Sequence, residues 1–189
     1  DFIDMYEKTE GKENLYNTDK VHFTDAGYLY IAECMYEKIT GKKAPIEEKV
    51  KIPHTQQSGE TNYFTFAEGK WEAGDAQHTW SKKVDPAHPE ATYYEVKFTG
   101  HKIDIYSGKN RMMGKVKYLI DGEEKAEGDL YNATNINSTF ITTISDLEEK
   151  EHTLKAVATG ERNASGTGSD ILIDAAEVYV YTYREPEEA

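Results

Sequence analysis

The sequence predicts a mainly β protein: a sandwich of short antiparallel strands, preceded by one α-helix. Two observations carry this expectation. β-Branched and aromatic runs recur at Tyr93 to Phe98, Ile103 to Tyr106, Phe140 to Ile144, Thr153 to Val157 and Ile171 to Tyr183, with Gly, Asn, Asp and Ser between them. Such spacing marks an all-β sandwich. At the middle of the series, Lys115 to Tyr131 reads KVKYLIDGEEKAEGDLY. Val116, Tyr118 and Ile120 alternate there with polar neighbours, and Asp121-Gly122 supplies a tight turn, so the segment is a hairpin with one buried face.

Taken in order, the chain starts with Asp1 to Tyr6, DFIDMY, a short apolar run suited to the end of a strand, and continues through a polar connection. The helix follows. Thr24 can cap it, Asp25 lies in its first turn, and Tyr28, Ile31, Ala32, Met35 and Ile39 share one face at helical spacing. Gly41 ends it after about 15 residues. A face that wide needs the β-domain or another body to pack on. Residues 42–62, with two prolines, many charges and no periodicity, read as a linker able to lie against the next domain. Residues 63–183 hold the sandwich, and 184–189 are an acidic tail.

Composition narrows the function classes. A formal net charge of -13 over 189 residues argues against a partner held by phosphate contacts, so nucleic acid is not expected. No run approaches the roughly 18 apolar residues of a membrane span. Cys34, alone of its type, permits neither an intrachain disulfide nor a cysteine metal cage, and reads as a small buried hydrophobe. The sequence starts without Met and without a signal-peptide pattern, as expected of a fragment or a processed chain. The sequons at Asn132, Asn137 and Asn163 are read as unglycosylated.

The sharpest local signal is Asp19-Lys20-Val21-His22 just ahead of the helix. An Asp placed three residues before a His can hydrogen-bond the imidazole, fix its tautomer and leave the other nitrogen free to deprotonate a serine. The block DKVHFTDAGYLYIAECMYEKI resembles the closing block of the SGNH or GDSL family of ester hydrolases, where a D-x-x-H loop precedes the last helix. The resemblance covers roughly Asp1 to Ile39 and makes residues 1–41 the C-terminal remnant of an α/β SGNH domain. It implies that Asp19 and His22 match the family's acid and base. No Gly-Asp-Ser block and no oxyanion-hole blocks precede Asp19, so the chain alone is expected to be inactive unless a separate upstream chain supplies the serine.

Residues Tyr63 to Tyr183 carry a second resemblance, through Trp71, FTGHKIDIYSG, YLIDG, DLY, HTLKAVATG and ILIDAAEV. These pieces resemble the galactose-binding-like β-sandwiches, jelly rolls appended to carbohydrate-active enzymes. The resemblance implies a noncatalytic module that binds polysaccharide. Sugars stack their apolar faces on exposed aromatic rings while polar side chains read the hydroxyls. Trp80, with His78 beside it in AQHTWSKK, suits an exposed loop ring, whereas Trp71 suits the core. Arg111 in the SGKNRMMG loop, and Tyr131 with Asn132 after a strand, are further candidates; each is also what an ordinary surface loop contains.

No cofactor is expected and no metal is assigned. Calcium, often carried by modules of this fold, is left open, with Asp170, Asp174 and Glu68 as carboxylates it could use; otherwise Asp174 bonds backbone at a turn. The resulting expectation is the carbohydrate-binding portion of a modular, secreted, bacterial carbohydrate esterase acting on plant cell-wall polysaccharide, whose partners are the polysaccharide and a missing N-terminal catalytic domain. Two alternatives stand beside it: part of an active acetyl esterase completed by an upstream chain, and a structural spacer without ligand.

Overall fold

The computed structural model describes residues 3–53, 63–73, 79–81 and 83–183, with 72–73 and 79–80 by backbone alone. The chain divides into two compact units, Asp1–Glu47 with Thr182–Ala189, and Glu48–Tyr181.

In the first unit, α1 (Met5–Thr9) occupies the place where a strand end was expected. Asp4 explains the difference, because its carboxylate accepts the Glu7 N–H at 3.1 Å and starts a helical turn. The second helix, α2 (Asp25–Thr40), has the caps the sequence indicates. Thr24 Oγ1 accepts the Gly27 N–H at 3.1 Å, and Gly41 closes the helix in the left-handed conformation at φ 68°. Gly27 lies against the preceding loop; a Cβ there would stand 2.2 Å from the Leu15 carbonyl oxygen. Of the expected apolar face, Tyr28, Met35 and Ile39 remain exposed, as do Leu29 and Tyr36. Cys34 is half-buried rather than buried.

The strands, which belong to the second unit except for Ile46, Glu47 and Thr182, are β1 (Ile46–Pro53), β2 (Phe64–Phe66), β3 (Trp71–Ala73), β4 (Thr79–Ser81), β5 (Tyr93–Gly100), β6 (Lys102–Lys109), β7 (Lys115–Ile120), β8 (Glu123–Asp129), β9 (Ile136–Ile144), β10 (Lys150–Ala158), β11 (Leu172–Ile173) and β12 (Ala175–Thr182). They form a four-stranded sheet β1-β12-β6-β9, a five-stranded sheet β2-β5-β10-β7-β8 and a short sheet β11-β4-β3. Pairing is antiparallel at β5/β10, β7/β10, β7/β8, β6/β12 and β6/β9. Alternation selects the core. Tyr94, Val96, Phe98, Val116, Tyr118, Ile120, Leu154 and Ala156 of the larger sheet, and Ile103, Ile105, Ala176 and Val178 of the smaller, are all buried. Trp71 packs against this core and donates its indole N–H to the Tyr93 carbonyl at 2.9 Å.

Two sequence expectations change here. The stretch read as a linker contains β1, an edge strand of the four-stranded sheet. Its charges face water along an edge and only Ile52 is buried, so no period shows in the sequence. The long run from Ile171 is broken at Asp174, and β11 joins β4 while β12 joins β6.

The central hairpin turns at Asp121 and Gly122, with φ 52° and 89°, the left-handed pair of a primed turn. Asp121 is tied to β10: one oxygen accepts the Thr153 N–H at 2.8 Å, and the other lies 2.7 Å from the buried His152 ring. The Thr153 amide first, then the imidazole, holds the Asp121 carboxyl below its ordinary value of 3.8. A carboxyl depressed by folding stabilises the fold above about pH 4, and that contribution fades as pH falls through its folded-state value. Asn tolerates the same backbone. The thermal midpoint of the wild type should therefore exceed that of Asp121→Asn at pH 6, with the gap closing towards pH 2; a constant gap would remove Asp121 from the account.

Candidate functional site

The D-x-x-H loop is fully formed in the first unit. Tyr16 and Phe23 bridge its base, and the Asn17 N–H donates to the His22 carbonyl at 2.7 Å. Lys20 turns the chain at φ 56° and brings Asp19 back towards His22. Asp19 Oδ1 accepts the N–H groups of Val21 and His22, each at 3.0 Å, and Oδ2 lies 2.7 Å from His22 Nδ1. Those amides, the His22 one foremost, and then the imidazole hold the Asp19 carboxyl below its usual value. With Nδ1 facing Asp19, Nε2 is the ring nitrogen left to take a proton. The His22 side chain is 71% exposed, so any reacting partner must come from outside this loop. Nothing in the unit supplies it from serine, because the first serine of the sequence is Ser58.

A second candidate region lies where loops 110–114, 130–135 and 159–171 meet. The Asn110 N–H donates to the Leu130 carbonyl at 3.2 Å, and the Arg111 Nε donates to the Ala133 carbonyl at 2.8 Å. The Thr167 N–H reaches the Arg111 carbonyl at 2.7 Å, and Asn163 Nδ2 reaches Asp129 Oδ2 at 2.8 Å. The same stitching extends to β4, since the Ser81 N–H donates to the Ile171 carbonyl at 2.8 Å. Arg111, Tyr131 and Asn132 are thereby brought together, and the backbone of Trp80, paired with Leu172, adjoins the last of the three loops.

The individual roles differ from those expected. Trp80 sits on β4, not on a loop, because its backbone pairs on both sides; its side chain, and His78 entirely, lie outside the described residues. Arg111 is spent partly on Ala133, and Asn132 Nδ2 donates to the Thr134 carbonyl at 2.8 Å. Tyr131 is half-buried beside Gly166. Asn163, Thr167 and Asp129 were missed as parts of this cluster, for nothing in the sequence joins Asn163 to a residue 34 positions earlier. The carboxylates considered for calcium are dispersed: Asp170 Oδ1 accepts the Val84 N–H at 3.0 Å, Asp174 pairs with the Ser138 hydroxyl, and Glu68 stands beyond the end of β2. Among the described residues no three His, Cys, Asp or Glu side chains converge as a metal group.

No family model matches the chain, and no curated protein matches it. Solved structures do. A two-domain esterase (CEX) active on acetylated mannans is similar at 14% identity with TM-score 0.51, over 95% of this chain and 54% of that chain. The same esterase co-crystallized with mannopentaose gives 13% identity and TM-score 0.50, over 96% and 54%. The chain spans about half of that esterase. The CBM36-1 domain of a multidomain xylanase from the hindgut metagenome of Trinervitermes trinervoides aligns at 13% identity and TM-score 0.37, over 65% of this chain and 97% of that one. At such identities the likeness to the esterase is one of fold: a mainly β chain with two antiparallel sheets and one long helix.

Proposed function

We propose that this chain is the carbohydrate-binding, histidine-bearing portion of a modular secreted carbohydrate esterase that acts on plant cell-wall polysaccharide. Residues 1–41 would close an SGNH hydrolase domain, and the sandwich would hold the polymer. The observation that carries this reading is the 2.7 Å contact between Asp19 and His22, with Asp19 braced by two backbone amides and the imidazole turned outward. One Asp19 oxygen holds the turn through these amides, and the other orients the imidazole as a general base requires. Unfinished packing supports it: Tyr28, Leu29, Met35, Tyr36 and Ile39 leave α2 with apolar surface that a serine-bearing body would cover. The fold likeness to a two-domain esterase along 95% of the chain is consistent with both parts.

In the completed site His22 Nε2 would take the serine proton as Oγ attacks the ester carbonyl, and would return it to the leaving sugar hydroxyl. Asp19 would hold the ring through Nδ1 and stabilise the imidazolium. Oxyanion donors would come from the serine-bearing part.

Affinity electrophoresis through gels containing xylan, glucomannan, galactan or mixed-linkage glucan tests the binding half. One polymer should retard the chain, and Tyr131→Ala or Trp80→Ala should weaken binding about tenfold, the cost of losing one anchoring ring. Absence of retardation in every gel would overturn it and leave the spacer reading, which the use of Arg111 on the neighbouring loop and of Asn132 inside its own favours. For the catalytic half, the chain alone should hydrolyse 4-nitrophenyl acetate no faster than His22→Ala. Activity restored by a serine-bearing chain should vanish with that substitution.

A further inference from the structure

The two outward faces of the sandwich are built differently. On the five-stranded sheet, ion pairs tile the surface: Lys155 with Glu95 at 3.0 Å, Lys117 with Glu124 at 2.9 Å and Lys97 with Glu151 at 3.9 Å. Among the described residues, that sheet exposes no large apolar side chain. On the four-stranded sheet, the outward row holds Lys49 of β1, Glu177, Tyr179 and Tyr181 of β12, Asp104 and Tyr106 of β6, and Thr143 and Phe140 of β9. Phe140 is 50% exposed and Tyr181 42% exposed.

The aromatic groups of this row are held in place. The Phe140 ring meets Tyr106 edge to face at 5.9 Å, and the Tyr106 hydroxyl donates to Glu177 Oε2 at 2.9 Å. Lys49 Nζ reaches the same oxygen at 3.0 Å. On the next position of β6, Asp104 accepts the Thr143 hydroxyl at 2.6 Å and the Tyr179 hydroxyl at 2.7 Å, while Lys102 lies 3.6 Å above the Tyr179 ring. Asp104 and Glu177 are directly opposite one another across the pair β6/β12. Two carboxylates in that relation repel and stabilise nothing by themselves. The ammonium of Lys49, ahead of the Tyr106 phenol, nonetheless holds Glu177 below its ordinary value, so it is a carboxylate at neutral pH.

We propose that the outward face of the four-stranded sheet is a second carbohydrate-binding surface, on which Phe140, seated on Tyr106, stacks against a neutral polysaccharide while Glu177 and Lys49 bind its hydroxyls and the buried Asp104 holds Tyr179 and Thr143 in place. Charge selects this occupant. Within this row two carboxylates are balanced by Lys49 and Lys102, so the row adds no net charge of its own that would select a polycation, and the chain's overall -13 disfavours a polyanion. Carboxylate acceptors beside an ammonium donor complement sugar hydroxyls, which both donate and accept. The exposed Phe140 ring, backed by the half-buried Tyr106, adds the apolar platform that a sugar face needs. Because hydrogen bonds already fix Tyr106 and Tyr179, little side-chain freedom is lost on binding.

The inference rests on the carbohydrate reading, and the same gels separate the two. Phe140→Ala and Tyr106→Ala should each weaken retardation by the polymer that binds the wild type by about fivefold. Phe140→Ala, at a half-exposed position, should leave the circular dichroism spectrum and thermal midpoint in place. Loss of retardation in Tyr131→Ala or Trp80→Ala, with wild-type behaviour in Phe140→Ala, would overturn the sheet-face surface and keep the loop site. The reverse pattern would establish the sheet face and move the binding site away from the loops. Unaltered retardation combined with a changed elution volume of Phe140→Ala would make the face a contact between copies and overturn the proposal, as would a wild type that no polymer retards.

Discussion

Gly114→Ala is expected to force two loops apart and to cost both stability and polymer binding. A Cβ at Gly114 would stand 2.5 Å from the Glu161 carbonyl oxygen, 2.5 Å from Ser169 Cα and 2.8 Å from the Ser169 carbonyl carbon. All of these are backbone atoms, so no side chain can swing aside. Around that point the Gly114 N–H donates to Asp170 at 2.7 Å, the Leu130 N–H donates to Gly114 at 3.0 Å and the Lys115 N–H donates to Glu161 at 3.0 Å. Making room for the methyl stretches all three bonds. Overpacking of this kind costs about 1–3 kcal/mol. A lowered urea midpoint should therefore accompany weaker retardation in the polymer gel, since the displaced 110–114 loop carries Arg111 and holds Leu130, the neighbour of Tyr131. A variant as stable as wild type would show that these loops yield without strain, and wild-type retardation would place the sugar elsewhere.

Leu154→Ala should destabilise the sandwich by about 2–5 kcal/mol, the range for emptying a buried leucine site. Leu154 is fully buried on β10, the central strand of the larger sheet, with Val96 of β5 and Ile120 of β7 as its lateral neighbours. Backbone pairing on both sides limits how far the strands can close over the lost atoms. The adjacent Lys155, outward and paired with Glu95, provides the contrast. Lys155→Ala should cost no more than about 1 kcal/mol, because a half-exposed ion pair and the contact of its ammonium with the Tyr93 ring contribute little beside an emptied core site. Equal losses from the two variants, measured by chemical unfolding, would contradict the inside and outside assignment of β10.

Much of the local structure was legible. Asp121-Gly122 between alternating runs named the hairpin, since only a left-handed pair of residues closes a two-residue turn with the proper twist. Thr24 and Gly41 bounded α2, through a side-chain acceptor at one end and a left-handed residue at the other. Asp19 and His22 were paired correctly because their contact lies within a single turn of chain. Where the reading failed, packing or a competing local bond decided. Asp4 drew residues 5–9 into a helix, and β1 became a strand because β12 offered it an edge.

The sequence by itself determined the strands with one clean apolar face, the capped helix and the braced Asp-His loop, all set by interactions spanning a few residues. Only the tertiary structure decided what meets what. Arg111 and Thr167 are 56 residues apart, Ser81 and Ile171 are 90 apart, and Lys49 and Glu177 are 128 apart, yet each pair is in contact. Such meetings follow from sheet register and from the burial of a common core, which no short window of sequence encodes. For the same reason the pairing of Phe140 with Tyr106 on one face, and the bulge in β9 that aligns them, emerge only when β6 and β9 lie side by side.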